Sequence, residues 1–399
     1  MKKLLAIVMS ISLSAVMLVG CGGQASNAGG ATEDSAKGNA SDAKIAVVCD
    51  AAGQNDNGYN QSAAKGAELC AEKYGIETKV VEPTQSIGDT LSQLAEDGYN
   101  LIFSMEYDFD ALINGEAGGK PIAEMYPDTT FVVFNATPNV DEAGKTIHDN
   151  VISVLYNVNE SSYLAGALSV LANENQDVLF GDAYKLTKPD TARGLGFIGG
   201  SDSDGITVFS VGFIEGAQKM AGELGVNYDF YAKYDAGFSD SATGSTVAGT
   251  YYDQGANVVY ACAGAVGDGV TSKAKEVGKL AIQVDANKDD QQPGFVLTSV
   301  IKNTEVVVQS MTEALTDGKL GDFDRITTYD LGSGSTTITD LATISQHIEQ
   351  TDAAKTKWQE IKDKVAQLQS DISDGKIKVT NTQNGDTFDP STCPNISIK

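Results

Sequence analysis

The chain has 399 residues, a length that favours two domains over one. Its formal net charge is −26, and because such a surface repels nucleic-acid phosphates, we expect no nucleic-acid partner. Arg193 and Arg325 are the only arginines. Since arginine is the usual bidentate group for phosphate and carboxylate, tight binding of an anionic ligand is also disfavoured, although lysines and backbone N–H groups can substitute.

The N-terminal segment has the pattern of a secretory signal. Two lysines follow Met1, an apolar run covers residues 4–18, and small residues come next. The run is short for a membrane span of about 20 residues, so an uncleaved anchor is the weaker interpretation. Leu18-Val19-Gly20-Cys21 resembles the lipobox of bacterial lipoproteins, in which the cysteine is lipidated. We therefore expect residues 1–20 to be a lipoprotein signal peptide and Cys21 to carry the lipid.

The next segment, residues 21–43, is rich in glycine, serine, alanine and asparagine. Such a composition cannot bury enough apolar surface to fold, which predicts a flexible tether. The globular part is expected to begin at Lys44, and no later apolar run is long enough to span a bilayer. These features predict a protein held by its lipid on the extracytoplasmic face of the cell membrane.

From Lys44 onward, short apolar strands alternate with helices. The strands predicted in the first half are 45–49, 78–81, 101–104, 131–134 and 151–155. Those predicted in the second half are 195–198, 228–233, 258–261 and 281–284, and a further strand at 296–301 is expected to return to the first half. This alternation predicts α/β lobes, each a mostly parallel sheet with helices on both faces.

The predicted lobes are joined by crossing segments. The first lobe is expected at 44–155 with a return segment at about 300–350, and the second lobe at 156–299. A C-terminal helix and extension are expected at 351–399, and the expected hinges are the segment 153–160 and the vicinity of Ser299. Ligands of open α/β sheets bind at the carboxyl ends of strands, so function is sought in the residues that follow each strand.

The cysteine and histidine content argues against a metal site. Besides Cys21, the cysteines are Cys49, Cys70, Cys262 and Cys393, and their spacings match neither a CxxC pair nor a zinc site. Buried free thiols are favoured for the first three of these, with a disulfide as the alternative. Only two histidines occur in the chain. We predict no metal, no cofactor and no catalytic residue.

The loop after the first strand concentrates acidic, amide and aromatic side chains directly before a helix. It reads Asp50-Ala-Ala-Gly-Gln-Asn-Asp56-Asn-Gly-Tyr59-Asn60-Gln61. Asp56 or Asn60 could cap the helix, but capping needs only one of them. Tyr59 offers a stacking face, and Asn60 can donate and accept hydrogen bonds at once.

Asp56-Asn-Gly-Tyr59-Asn60-Gln61 is similar to the D-K-S-F-N-Q loop of the basic membrane protein family, whose members are substrate-binding lipoproteins of ABC transporters. Further matching stretches follow in the family's order at 160–166, 196–200, 209–216, 234–240, 255–258, 263–269, 284–285 and 297–302. The likeness covers residues 44–315, with a last match at 375–379. It implies a two-lobed, periplasmic-binding-protein-like (type I) fold.

The resemblance also implies a ligand and the residues that hold it. The family places a purine base between two aromatic rings, which Tyr59 and Phe238 match, with Phe209 as the alternative to Phe238. Asn60 matches an amide that recognises the edge of the base. Asp285 and Lys302 match groups that hold the ribose hydroxyls.

Five further positions follow from the same resemblance. Asp56 matches an acid of the first loop, as does Asp50, and Gly264 and Gly267 lie in a loop whose backbone approaches the ligand. Asp108 belongs to a cleft segment, Met105-Glu-Tyr-Asp108, that departs from the family's Gly-Phe, which leaves the base selectivity open.

The expected function is therefore a lipid-anchored receptor that binds nucleosides, with purines favoured, and delivers them to an ABC permease. The alternative is a surface sensor or adhesin that binds a sugar or another small polar ligand on the same fold. An extracellular nucleoside hydrolase is less favoured, because no dense run of aspartates could hold a divalent ion. Gly194-Leu-Gly196-Phe-Ile-Gly199 fits the dinucleotide pattern, but its apolar residues are typical of a strand, so it is not interpreted as a cofactor site.

Overall fold

A computed structural model describes residues 43–399. The predicted signal peptide, the predicted lipidation site Cys21 and nearly all of the predicted tether lie outside the described residues. Within the described part, no helix combines the length and the apolar character needed to cross a bilayer.

The first sheet has six strands that all pair in parallel. In their order across the sheet they are β11 (Ile326–Tyr329), β5 (Val151–Tyr156), β4 (Thr130–Phe134), β3 (Leu101–Ser104), β1 (Lys44–Val48) and β2 (Glu77–Val81). The central strands are short, apolar and almost wholly buried, because helices cover both faces of the sheet.

The second sheet has seven strands, and only β12 runs antiparallel to its neighbour. In their order across the sheet they are β12 (Thr336–Ile338), β10 (Val296–Lys302), β9 (Leu280–Asp285), β8 (Ala256–Cys262), β6 (Gly194–Gly199), β7 (Tyr228–Lys233) and β13 (Ile396–Ile398). The prediction of mostly parallel sheets is confirmed for both halves.

The helices divide between the two sheets. Those packed with the first sheet are α1 (Tyr59–Tyr74), α2 (Ile87–Glu96), α3 (Asp110–Ile113), α4 (Ile122–Met125) and α10 (Thr304–Thr316). Those packed with the second are α5 (Val158–Glu174), α6 (Gln176–Leu179), α7 (Asp204–Leu224), α8 (Ser241–Asp253), α9 (Val266–Val277), α11 (Ala342–Ser345) and α12 (Asp352–Ser373).

The prediction that strand 296–301 returns to the first lobe is wrong. β10 pairs in parallel with β9 and belongs to the second sheet, and it is the following helix, α10, that packs on α1. The expected return segment at 300–350 is likewise divided, because β11 joins the first sheet and β12 the second. The C-terminal part belongs with the second sheet, where α12 packs on α5 and β13 forms an edge.

Three short segments carry the chain from one sheet to the other: Asn157 between β5 and α5, Asn303 between β10 and α10, and residues 330–335 between β11 and β12. Glu160 joins the first and third of these segments. Its carboxylate accepts from Asn157 Nδ2 at 3.0 Å and from the Leu331 N–H at 3.1 Å. The segment at 330–335 is therefore a third crossing, which the sequence did not indicate.

The cysteines of the described part are all buried and unpaired. Cys49, Cys70 and Cys262 are free thiols, which confirms the favoured prediction, and Cys393 is free as well. Burial raises the pKa of the Cys262 thiol well above its usual value. These side chains therefore act as small apolar groups in the core.

Glycines set the distance between α5 and α7. A Cβ on Gly216 would lie 1.9 Å from the Tyr163 carbonyl oxygen, and one on Gly212 would lie 2.1 Å from that of Asn159. Both contacts are with backbone atoms, which a side-chain rearrangement cannot relieve. The two helices can pack this closely only without side chains at these positions.

We predict that Gly216→Ala destabilises the protein by about 1–3 kcal/mol, because the new methyl group forces α5 and α7 apart. Gly222→Ala in the same helix is the matched control, since the nearest atom to its Cβ is the flexible end of Gln218, 3.2 Å away. The control should be up to about 1 kcal/mol more stable than the unmodified protein, because alanine has a higher helix propensity than glycine. Urea unfolding measures both, and equal stabilities of the two variants would contradict this packing.

Candidate functional site

The carboxyl ends of the strands in the two sheets face each other. The order of strands reverses between β3 and β1 in the first sheet and between β8 and β6 in the second, and such points form ligand-binding crevices in α/β sheets. Lys302, at the end of β10, contacts the ring of Tyr59, which opens α1 after the loop that follows β1. Asp285, at the end of β9, contacts Gly58 of that loop. The residues predicted for the site therefore lie on both sides of one cleft.

Asp56 lies three residues before Tyr59, the first residue of α1, and caps that helix. One carboxylate oxygen accepts from the Gly58 and Gln61 N–H groups at 3.0 Å, and the other accepts from the Asn60 N–H at 2.9 Å. A carboxylate at a helix N-terminus satisfies backbone donors and interacts favourably with the helix dipole. The structure thus gives Asp56 the capping role, and a direct ligand contact for it stays a prediction.

Asn60 is fully buried and braces the two acids of the loop. Its Nδ2 donates to Asp50 Oδ1 at 2.7 Å and to Asp56 Oδ2 at 3.0 Å, and its Oδ1 accepts from the Asp50 N–H at 3.0 Å. Both amide hydrogens are therefore engaged within the protein. Recognition of a base edge by Asn60 stays a prediction, while a positioning role for Asn60 is visible in the geometry.

Two acids near Asn60 have raised pKa values. Burial raises the pKa of Asp50 despite the hydrogen bond from Asn60. Burial and then the charge of Asp50 raise the pKa of Glu106, which follows β3 by two residues. The first-lobe wall of the cleft therefore presents carboxylates that a ligand with N–H donors would satisfy.

Tyr59 lies at the centre of the aromatic part of the cleft and is only 6% exposed. Its ring meets Phe134 edge-on at 6.2 Å and stacks with Tyr107 at 6.5 Å between centroids. Its hydroxyl accepts from Asn135 Nδ2 at 3.1 Å. Tyr107, in contrast, is 57% exposed, so it is the more open of the two rings.

Lys302 of the second sheet reaches into this first-lobe cluster and is 8% exposed. Its Nζ lies 4.6 Å from the centroid of the Tyr59 ring, donates to Asn135 Oδ1 at 3.3 Å and lies 3.9 Å from Asp285 Oδ1. Burial alone would lower the pKa of Lys302, but the charges of Asp285 and other neighbours outweigh it and raise this pKa. The ammonium therefore stays charged and forms a cation–π contact between the lobes.

Asp285 ends β9 in the left-handed backbone region, with φ of 71°. A Cβ on Gly58 would lie 3.2 Å from Asp285 Cβ, so the two lobes touch here. The backbone turn that places Asp285 against the first lobe is uncommon for residues other than glycine, asparagine and aspartate.

Phe238 is 45% exposed and lies on the second-lobe side. Its ring covers Gly200, which follows β6, and its carbonyl accepts from the Ala265 N–H at 2.8 Å. Gly264 has φ of +52°, and a Cβ there would lie 2.7 Å from the Phe238 carbonyl oxygen. Gly264 therefore positions the loop that carries Phe238.

Gly267 and Asp108 have roles that the resemblance did not indicate. A Cβ on Gly267 would lie 2.7 Å from Gln283 Oε1, and Gln283 Nε2 donates to the Gly267 carbonyl, so this glycine admits a buried glutamine. Asp108 is exposed and accepts from the Asp110 N–H at 3.3 Å, at the start of α3. Ligand contacts for both residues stay predictions.

Tyr107 and Asn135 were missed as site residues. Asn135 follows β4 directly, has φ of 62°, and donates from Nδ2 to the hydroxyls of Tyr59 and Tyr107. Its Oδ1 accepts from Lys302, so it connects both rings to the ammonium. In the sequence, the sign of their role was that Tyr107 follows β3 and Asn135 follows β4. Phe209, the alternative stacking ring, is buried, 5.8 Å from Lys302 Nζ.

A separate groove of about 650 Å³ lies beside the cleft. It is lined by Ser62 and Glu305 from the first lobe and by residues 337–341 and 362–369 from the second, and Asp285 lies at its edge. Tyr59, Lys302 and Phe238 are not among its lining residues. The groove is therefore distinct from the aromatic cluster.

Comparisons with known proteins agree with this architecture. The family model Bmp, described as ABC transporter substrate-binding protein PnrA-like, matches residues 43–371. The "ABC transporter nucleoside-binding protein BmpA" of Lactococcus lactis is 32% identical over 95% of this chain and 99% of its own length. The "CD4+ T-cell-stimulating antigen" of Listeria monocytogenes is 25% identical over 95% of this chain and 98% of its own.

Solved structures resemble the fold. A solute-binding protein of an ABC transporter system from Aeropyrum pernix superposes with a TM-score of 0.67 at 21% identity, over 88% of this chain and 95% of that one. A second, from Conexibacter woesei, has a TM-score of 0.60 at 19% identity, over 85% of this chain and 99% of its own. The predicted two-lobed, periplasmic-binding-protein-like fold is confirmed.

We predict that Asn60→Asp destabilises the protein by about 3 kcal/mol at pH 7, because a third carboxylate would replace the amide donors between Asp50 and Asp56. Burial raises the pKa of such a carboxyl, so the loss should shrink as the pH falls and the group takes up a proton. Urea unfolding at pH 7 and pH 5 measures this.

Asn55→Asp is the control for Asn60→Asp, since Asn55 is exposed in the same loop and the change in net charge is equal. The difference in stability between the two variants should be smaller at pH 5 than at pH 7. A difference that does not depend on pH would contradict the bracing role of Asn60.

Proposed function

Because the chain belongs to the Bmp family of PnrA-like ABC transporter substrate-binding proteins, we propose that it is a receptor that binds nucleosides, purine nucleosides in particular, and delivers them to an ABC permease. The name of the Lactococcus lactis relative supports the choice of nucleoside. The observation that carries the proposal is the inter-lobe cluster, in which Lys302 of one lobe lies 4.6 Å from the Tyr59 ring of the other.

The cluster offers the groups that a nucleoside needs. A nucleoside joins a flat, neutral base to a polyol, and stacking on an aromatic ring contributes about 1–3 kcal/mol per base. Tyr59 with Tyr107 on the first lobe, and Phe238 on the second, are the rings we assign to the base. Asp285 accepts from sugar hydroxyls and Lys302 donates to them.

The remaining predicted residues support these groups in our proposal. Asn60 and Asp56 hold the first loop, with Asp50 and Glu106 facing the donor edge of the base. Gly264 places the backbone that carries Phe238. The two lobes close on the ligand by bending at the three crossing segments, as in other two-lobed receptors.

The proposed location is the extracytoplasmic face of the cell membrane, with a lipid on Cys21. The relatives from Pyrococcus furiosus and Pyrococcus abyssi, which are named lipoproteins, and one from Borreliella afzelii, named basic membrane protein A, support this. Labelling of growing cells with a fatty-acid analogue should mark the native chain but not Cys21→Ser.

The ligand class is tested by calorimetry of the purified full-length protein against purine and pyrimidine nucleosides, free bases, nucleotides and sugars. We expect the tightest binding with purine nucleosides. Binding to sugars or nucleotides alone would contradict the proposal, as would the absence of any nucleoside binding.

We predict that Tyr107→Leu and Phe238→Leu each weaken purine nucleoside binding by about 10-fold or more, because each removes a stacking face. Tyr107→Phe and Phe238→Tyr keep the ring and are the matched controls, expected within about 3-fold of the unmodified protein. Both positions are well exposed, so the fold should tolerate these changes. Equal affinities for the leucine variants and their controls would rule out stacking at these rings.

The proposal also predicts that the protein leaves its ligand unchanged. Incubation with inosine, followed by chromatography, should return intact nucleoside and no free base above a protein-free control. Release of hypoxanthine in proportion to the protein concentration would instead establish a nucleoside hydrolase.

A further inference from the structure

Lys288 is a second lysine at the lobe interface, three residues after Asp285 and only 4% exposed. Its Nζ lies 3.5 Å from the position of a Cβ on Gly58, and Asp285 Oδ2 lies 3.4 Å from the same point. Gly58 directly precedes Tyr59, so the ammonium of Lys288 faces the first lobe next to the aromatic ring.

The loop that carries Lys288 is held firmly. The Lys288 N–H donates to Ser299 Oγ at 3.0 Å, and Ser299 Oγ donates to Asp289 Oδ1 at 2.7 Å. Asp289 is buried as well, and Ser299 belongs to the central part of β10. The position of the lysine is therefore fixed by a buried network on the second lobe.

The Lys288 ammonium forms no hydrogen bond or ion pair with residues 43–399, and it is not one of the fully buried side-chain atoms that lack a partner there, so it keeps contact with solvent. An ammonium with free donors at the lobe interface can hydrogen-bond a ligand that enters the cleft.

We propose that Lys288 is a third polar contact to the sugar of the bound nucleoside, donating to a ribose hydroxyl beside Asp285 and Lys302. This inference rests on the proposed function and extends it. A site built to hydrogen-bond a hydroxyl discriminates strongly against the analogue that lacks it, because the buried donor is then left unpaired. Lys288 therefore makes the receptor selective for ribonucleosides over the deoxynucleoside that lacks this hydroxyl.

The test is calorimetry of the full-length protein with guanosine and with its 2′-deoxy, 3′-deoxy and 5′-deoxy analogues. The unmodified protein should bind one analogue about 10- to 100-fold more weakly than guanosine. Lys288→Met should bind guanosine more weakly than the unmodified protein by a similar factor. It should bind that analogue no more weakly than it binds guanosine. Lys275→Met is the control, since Lys275 is exposed on α9, and it should match the unmodified protein.

The outcomes separate the inference from the proposed function. If the unmodified protein binds no nucleoside, the proposed function fails and the inference fails with it. If the unmodified protein binds guanosine and Lys288→Met binds it equally well, only the role of Lys288 is overturned. Equal weakening of all four ligands in Lys288→Met would also overturn it, because Lys288 would then act only as a contact between the lobes.

Thermal unfolding without ligand shows whether Lys288→Met folds. Because Lys288 makes no hydrogen bond or ion pair with residues 43–399, the midpoint should lie close to that of the unmodified protein. If the methionine variant is poorly folded, Lys288→Gln, which keeps a shorter donor, provides the same comparison of analogues. The inference would again be overturned if Lys288→Gln bound guanosine as tightly as the unmodified protein and discriminated equally against the analogue.

Discussion

The contact of Lys302 with the first lobe is the interaction on which the geometry of the cleft depends. A buried ammonium needs electron-rich neighbours, and Lys302 finds them in the Tyr59 ring, Asn135 and Asp285. Two of these neighbours belong to the first lobe and one to the second. Because the Lys302 ammonium contacts groups of both lobes, the positions of the binding groups depend on how the two lobes are placed relative to each other.

The first loop shows how a helix start can serve a binding site. Asp56 satisfies the backbone donors at the beginning of α1, and Asn60 joins it to Asp50, so these hydrogen bonds hold the loop in place. Tyr59, between these two residues, is thereby directed into the cleft. The same groups that stabilise the helix position the aromatic ring, which explains why acid, amide and aromatic residues are adjacent in the sequence.

The sequence predicted most of the fold because short apolar runs with intervening helical patterns are typical of parallel sheets. It did not predict the sheet to which β10 belongs, since a wholly buried strand carries no signal for its partners. In the site, the loop of Tyr59 was found from its composition. Tyr107 was missed in favour of its neighbour Asp108, because adjacent residues after a strand differ in direction and only the structure shows which one enters the cleft. Asn135 belongs to no motif, and its contacts arise from residues far apart in the chain.

A crystal structure of the full-length protein with a bound purine ribonucleoside would show whether the ligand lies between the two lobes at the aromatic cluster. We expect the base to lie against Tyr107 and Phe238, with the ribose hydroxyls within hydrogen-bond distance of Asp285 and Lys302. A nucleoside bound instead in the groove lined by residues 337–341 and 362–369, with the aromatic cluster unchanged, would contradict this expectation.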